Sequence, residues 1–169
     1  GVFGMAAGAI FISPFADKIG RRLLIIICLV LIAIGMYASV FTTTVTQLAA
    51  ARAFSGLWMG GIVASLNVMV SEYASDKRRG TAMGIYGIGF PLGVTLGGAV
   101  SAWLIASWGW QAPFIFAGTL TVIMLFVTIM FLPESIEYLI EKRPAGALEA
   151  YNKIAARLGY QSASELPAP

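Results

Sequence analysis

"SPFADKIGRR", residues 13 to 22, sets one acid and three bases between two apolar runs, residues 1 to 12 and 23 to 41. A charged side chain in the middle of a bilayer costs about 2.5–3.5 kcal/mol or more. Such a joint therefore reads as a loop between two membrane-crossing helices, and the same alternation continues along the chain. A hydrocarbon core of about 30 Å takes about 20 apolar residues in a helix. On that measure five spans are expected: residues 1 to 16, truncated, then 22 to 41, 47 to 73, 81 to 106 and 112 to 132. Lipid offers the backbone no hydrogen bonds, so such spans must be helical. The expected class is an all-α membrane protein, with residues 1–132 forming the transmembrane bundle and 133–169 a polar segment carrying amphipathic helices.

Composition agrees. Of 169 residues, 59% are hydrophobic and 11% charged, against about 45–50% and about 25% in soluble domains; mean hydropathy is +0.84. The sequence has no His, and its single cysteine, Cys28, lies inside an apolar run. Within this stretch that excludes His/Cys metal sites, Ser/His/Asp triads and a disulfide framework. "GIYGIGFPLG" has glycines but no preceding strand and no phosphate-loop spacing. No enzymatic chemistry, metal or cofactor is expected.

The net charge of +3 does not point to nucleic acid, because the bases form no continuous stripe. Lys18, Arg21, Arg22, Lys77, Arg78 and Arg79 fall in two joints, whereas "TTTVTQ" and "SWGWQ" carry no charge. The positive-inside rule makes the charged joints cytoplasmic, together with the tail and its Lys142, Arg143, Lys153 and Arg157, in a multi-pass protein of the cell inner (plasma) membrane. Trp103, Trp108 and Trp110 would form an outer aromatic belt. In the tail, Ile136, Leu139, Ile140, Leu148, Tyr151, Ile154 and Leu158 recur at helical spacing, as two short amphipathic helices broken near "RPAG" require. Pro167 and Pro169 mark a linker. An opening inside a helix and an ending in a linker suggest a piece of a longer polypeptide.

Small residues recur four apart: Gly4 and Gly8, Gly56 and Gly60, then Gly89, Gly93, Gly97 and Ser101, with Pro91 inviting a bend. The spacing allows close helix packing, either static or between helices that slide. Of the eleven basic residues only Arg52 falls outside this charge scheme, lying within a span about 7–8 Å from its outer end at about 1.5 Å per residue. It either snorkels to the headgroups or serves substrate-carboxylate attraction or proton coupling. Glu72, near Arg78 and Arg79, fits an ion pair in a gate region or a proton carrier. Trp58, Asn67 and Tyr86 suit either helix packing or the lining of a pocket for an aromatic ring.

"SPFADKIGRR" resembles the loop signature G-x-L-a-D-[RK]-x-G-R-[RK] of the major facilitator superfamily, with Ser13 in place of the first Gly. "RAFSGLWMGG" is similar to that family's fourth-helix motif and "SEYASDKRRGTAMG" to its next inner loop. "LPESIEYLIEKRP" resembles the segment opening the central loop, although Ile136 and Glu137 replace the Pro-Arg of typical sugar porters. Together with "GFPLGVTLGG", these look most like the aromatic acid:proton symporters, which makes this chain helices two to six of twelve. The resemblance implies proton-coupled uptake of a small aromatic or other organic acid by alternating access. It also implies a second six-helix half as partner within the bilayer. Other readings are a sugar or non-aromatic metabolite symporter and a non-transporting sensor. Asp17, Gly20, Arg21 and Arg22, with Glu72, Arg78 and Arg79, would form a conformational latch, Asp17 facing a helix end of the other half. Arg52, Asn67, Trp58 and Tyr86 would serve substrate or proton.

Overall fold

The computed structural model describes residues 2–74, 78–144, 146–158, 163 and 166. Ser75, Asp76 and Lys77 of the second charged joint, and Pro167 and Pro169 of the expected linker, lie outside the described residues. Among the described residues eight helices are formed: α1 (Val2–Phe11), α2 (Ser13–Ile19), α3 (Arg21–Val40), α4 (Val45–Tyr73), α5 (Arg79–Trp108), α6 (Ala112–Phe131), α7 (Ile136–Lys142) and α8 (Ala147–Leu158).

Four of them, α3 to α6, are long and apolar enough to cross a membrane. They match the expected spans within a few residues at each end. The stretch 1 to 16 is different, because its helix stops at Phe11 and a new one begins at Ser13. Pro14, in the first turn of α2, has no N–H to continue the ladder of α1, and its fixed φ suits a helix start. α1 is therefore a ten-residue apolar helix, about 15 Å long at about 1.5 Å per residue. Local chemistry sets other boundaries too. Thr44 caps α4 by accepting the Gln47 N–H at 3.3 Å, while Gln47 Oε1 reaches back to the Thr43 N–H at 3.0 Å, satisfying donors that the first turn leaves free. α5 runs through Pro91 without interruption.

The bundle is built on α4, with α1 and α3 along it and α6 against α3. α1 and α4 meet through small residues: a methyl group at Gly8 would overlap the Leu57 carbonyl, and one at Gly60 would overlap that of Met5. Gly4, Gly8 and Gly60, from two of the small-residue pairs read from the sequence, thus supply one close seam. The ladder on α5 behaves otherwise, since nothing among the described residues lies within 4 Å of a Cβ built at Gly89, Gly93 or Gly97. Ile12, Ala16, Leu24 and Cys28 form the core where α2, α3 and α4 converge, flanked by Leu57, Trp58 and Ile62. A second cluster, Leu139, Ala147 and Ile154, joins α7 to α8 and packs on Tyr73 at the end of α4. The tail helices break at Arg143, in the left-handed region at φ 45°. Much of α5 and α6 exposes large apolar side chains, as lipid-facing helices do.

Candidate functional site

The charged joint folds into a hub around one side chain. Gly20 ends α2 and starts α3 at φ 96°, which turns the chain sharply and sets Arg21 at the head of α3. The Arg21 side chain is only 10% exposed. Its Nη2 lies 3.2 Å from Asp17 Oδ1 and 3.6 Å from Glu137 Oε2, and its Nε 3.3 Å from Glu72 Oε1. The acids come from α2, α7 and α4. Glu72, 12% exposed, also accepts the Ser135 hydroxyl at 2.7 Å. Asp17 and Glu137 are 64% and 56% exposed, so their attraction to Arg21 is screened and each pair is worth about 0–1 kcal/mol.

The segment Pro133-Glu134-Ser135, between α6 and α7, stitches this joint to the rest. Glu134 Oε1 accepts the backbone N–H of Arg22 at 3.0 Å and of Ser135 at 2.9 Å. The Glu134 carbonyl accepts Tyr73 Oη at 2.6 Å, and Arg22 Nη2 donates to the Ile129 carbonyl at 2.8 Å. Charge-assisted bonds of this kind are about twice as strong as neutral ones. Gly20 is required twice over, because a Cβ there would lie 2.8 Å from Glu134 Oε2 and its φ is open only to glycine at small cost. Gly20→Ala is expected to cost about 1–3 kcal/mol, read as a lower unfolding midpoint in detergent. An unchanged midpoint would count against the close approach of Glu134.

Asp17, Gly20, Arg21, Arg22 and Glu72 are thus brought together. Arg78 and Arg79 are exposed at the start of α5. Arg79 Nε donates to the Ser71 carbonyl at 3.2 Å, and the side chain shares a cavity of about 510 Å³ with Glu72, Glu137 and Glu141. The sequence suggested Arg78 and Arg79 as neighbours of Glu72; in the fold Glu72 is paired by Arg21, from another helix, and shares the cavity with Arg79.

Arg52 sits elsewhere, half-buried where α3, α4 and α6 meet. Its Nη2 donates to Ser39 Oγ at 2.8 Å and lies 3.1 Å from Met36 Sδ, and its guanidinium stands 4.7 Å over the Phe114 ring. Ser39, fully buried, donates its own hydroxyl hydrogen bond to the Gly35 carbonyl at 2.7 Å. Among the described residues Arg52 has no carboxylate partner, and its buried Nε has no hydrogen-bond partner.

Trp58 packs on the α2–α3–α4 core and meets Phe54 edge-on at 6.0 Å. Tyr86 donates to the Val63 carbonyl at 3.3 Å, tying α5 to α4. Asn67 is one turn beyond Val63 and about two and a half turns from Trp58. Asn67 and Tyr86 therefore share one side of α4, and Trp58 lies on the other. Sequence reasoning gave no role to Glu134, Ser135, Glu137, Tyr73 or Ser39. The signal for the first three was present in the quoted "PESIE" stretch, which a polar run directly after a span singles out.

A bundle of membrane-length helices, with its charged joint pinned to the segment that follows the last of them, defines a polytopic membrane protein. Residues 1–164 match the sequence pattern of the Major Facilitator Superfamily, and the chain belongs to that family. It is 34% identical over 139 residues to the 4-hydroxybenzoate transporter PcaK of Pseudomonas aeruginosa, covering 82% of this chain and 31% of that protein. To the gallate transporter of Pseudomonas putida it is 30% identical over 151 residues, covering 89% and 34%. To the benzoate transport protein of Acinetobacter baylyi it is 29% identical over 147 residues, covering 84% and 31%. The chain spans about a third of the length of the curated relatives it matches. These are the names of transporters, not enzymes, and they agree with the resemblance to aromatic-acid carriers.

Proposed function

We propose that this chain forms helices two to six of a symporter that carries a small aromatic acid, or another organic acid, inward with protons by alternating access. Its charged loops and tail would be cytoplasmic, and the substrate would bind near the midplane between this half and a second six-helix half. The observation that carries the reading is Arg52, a half-buried cation within a span that no carboxylate neutralises among the described residues. A cation partly withdrawn from water attracts an anion more strongly than an exposed one, and a guanidinium is shaped for a carboxylate. The names of the relatives supply the aromatic class. Asn67 and Tyr86, on one side of α4, are the polar groups we assign to the substrate or its proton, and Trp58 supports that helix from behind.

The hub supports a latch. Arg21 and Glu72 form its buried part, while Asp17 keeps a largely exposed carboxylate that is free to meet a helix N-terminus of the other half. One such contact is worth about 0.3–1 kcal/mol, more when partly buried. A few of them bias two states that differ by a few kcal/mol.

The test is uptake of labelled 4-hydroxybenzoate and benzoate by cells expressing the full-length parent, with and without a protonophore. Accumulation that collapses with the proton gradient is expected. No accumulation, with membrane insertion verified, would reject the aromatic-acid reading. Arg52→Lys keeps the charge but loses the flat cation over Phe114 and the forked donors, so uptake is expected to fall about fivefold to tenfold, a loss of about 1–1.4 kcal/mol. Full activity in the Lys variant would remove Arg52 from the site.

A further inference from the structure

A second cavity, of about 240 Å³, opens between the start of α3, the end of α6 and α8. Arg22 and Lys153 bring two positive charges to it, Glu134 one negative charge, and Met130, Phe131 and Ile154 an apolar wall. The negative charge is already engaged, since Glu134 Oε1 accepts two backbone N–H groups. The positive charges are not neutralised: neither Arg22 nor Lys153 is in an ion pair among the described residues, and although Arg22 Nη2 donates to the Ile129 carbonyl, its Nε is buried without a hydrogen-bond partner. A buried donor left unmet costs about 1–3 kcal/mol, and the guanidinium that carries it lines the cavity.

The surroundings choose the kind of anion. Met130 and Phe131 are exposed, and above them Val127, Phe126 and Ile123 continue an exposed apolar face up α6. The cavity therefore lies at the foot of a lipid-facing surface, at the level where the span ends and headgroups begin. A free phosphate would answer the two cations and leave that face unused. A phosphate carrying acyl chains answers both.

We propose that this cavity binds the phosphate of an anionic glycerophospholipid, with Arg22 and Lys153 on the phosphate and the acyl chains along the α6 face. Basic pockets at the inner ends of membrane helices recognise such headgroups through charge and shape together. The site stands independently of which substrate the parent carries. Because Arg22 adjoins Arg21 and its backbone is held by Glu134, a bound lipid would brace the same joint that carries the hub.

The test uses the full-length parent, purified in detergent and titrated with phosphatidylglycerol or phosphatidylcholine while bound lipid is counted by native mass spectrometry. Phosphatidylglycerol is expected to bind several-fold tighter. Lys153→Glu is expected to weaken it about tenfold without changing phosphatidylcholine binding, and Lys153→Ala, which adds no new charge, about threefold. Lys142→Glu makes the same charge change outside the cavity and is expected to leave binding intact. Inorganic phosphate is expected not to displace the lipid. Equal binding of the two lipids, undiminished binding in both Lys153 variants, or equal loss in Lys142→Glu would overturn the site. Displacement by inorganic phosphate would overturn the lipid as its ligand.

Discussion

Arg21→Met is expected to produce the largest stability loss of any single change in the charged joint, and to abolish uptake by the parent. The substitution keeps much of the aliphatic bulk and removes the guanidinium. Glu72 is then left with a buried carboxylate whose remaining contact is the Ser135 hydroxyl, apart from whatever Arg79 supplies across the cavity. Removing one partner of a buried ion pair costs about 3–5 kcal/mol, because the other charge stays desolvated and unpaired. Thermal unfolding in detergent reads this directly. Pairing Arg21→Met with Glu72→Leu is expected to restore most of the lost stability, since two apolar groups replace two charges, while transport stays abolished. An unchanged midpoint in the single variant would mean that Arg21 is not a structural centre.

Asp17→Asn is expected to give the opposite signature. Its carboxylate is largely exposed, so losing the i,i+4 pair with Arg21 should shift stability by less than about 1 kcal/mol. Uptake should nevertheless fall at least tenfold at normal membrane amounts, if the exposed acid is what the second half grips when the inner side closes. Normal uptake with normal surface amounts would sink the latch. The two variants together separate a group that holds this half in shape from one that acts between the halves.

How much of this was legible in the sequence depends on the range of the interaction. The four long helices could be read directly, because apolar length is a local property that the bilayer converts into structure. The break at Ile12 was missed, since residues on both sides stay apolar and only Pro14 marks the restart. The hub was half legible. Asp17, Gly20 and Arg21 lie within five residues and announce themselves, whereas Glu134 reaches Arg22 across 112 positions and no periodicity connects them. Arg52 was found by its charge in an apolar run. Its partners Ser39, Met36 and Phe114 depend on how α3 and α6 are registered against α4, which single-helix patterns do not encode. Small residues four apart flagged the Gly8–Gly60 seam and the α5 ladder alike, and only packing distinguishes the one that is filled.

The bond from Glu134 to position 22 has its own lesson about tolerance to change. The carboxylate grips a peptide N–H and not the arginine side chain, so the clamp is indifferent to what that side chain is. Nineteen amino acids carry the required hydrogen and proline alone lacks it. Substitution at position 22 thus leaves this clamp in place even where it gives up the side-chain bond to the Ile129 carbonyl, and proline, ordinarily welcome at the head of a helix, is the one residue that would undo the link.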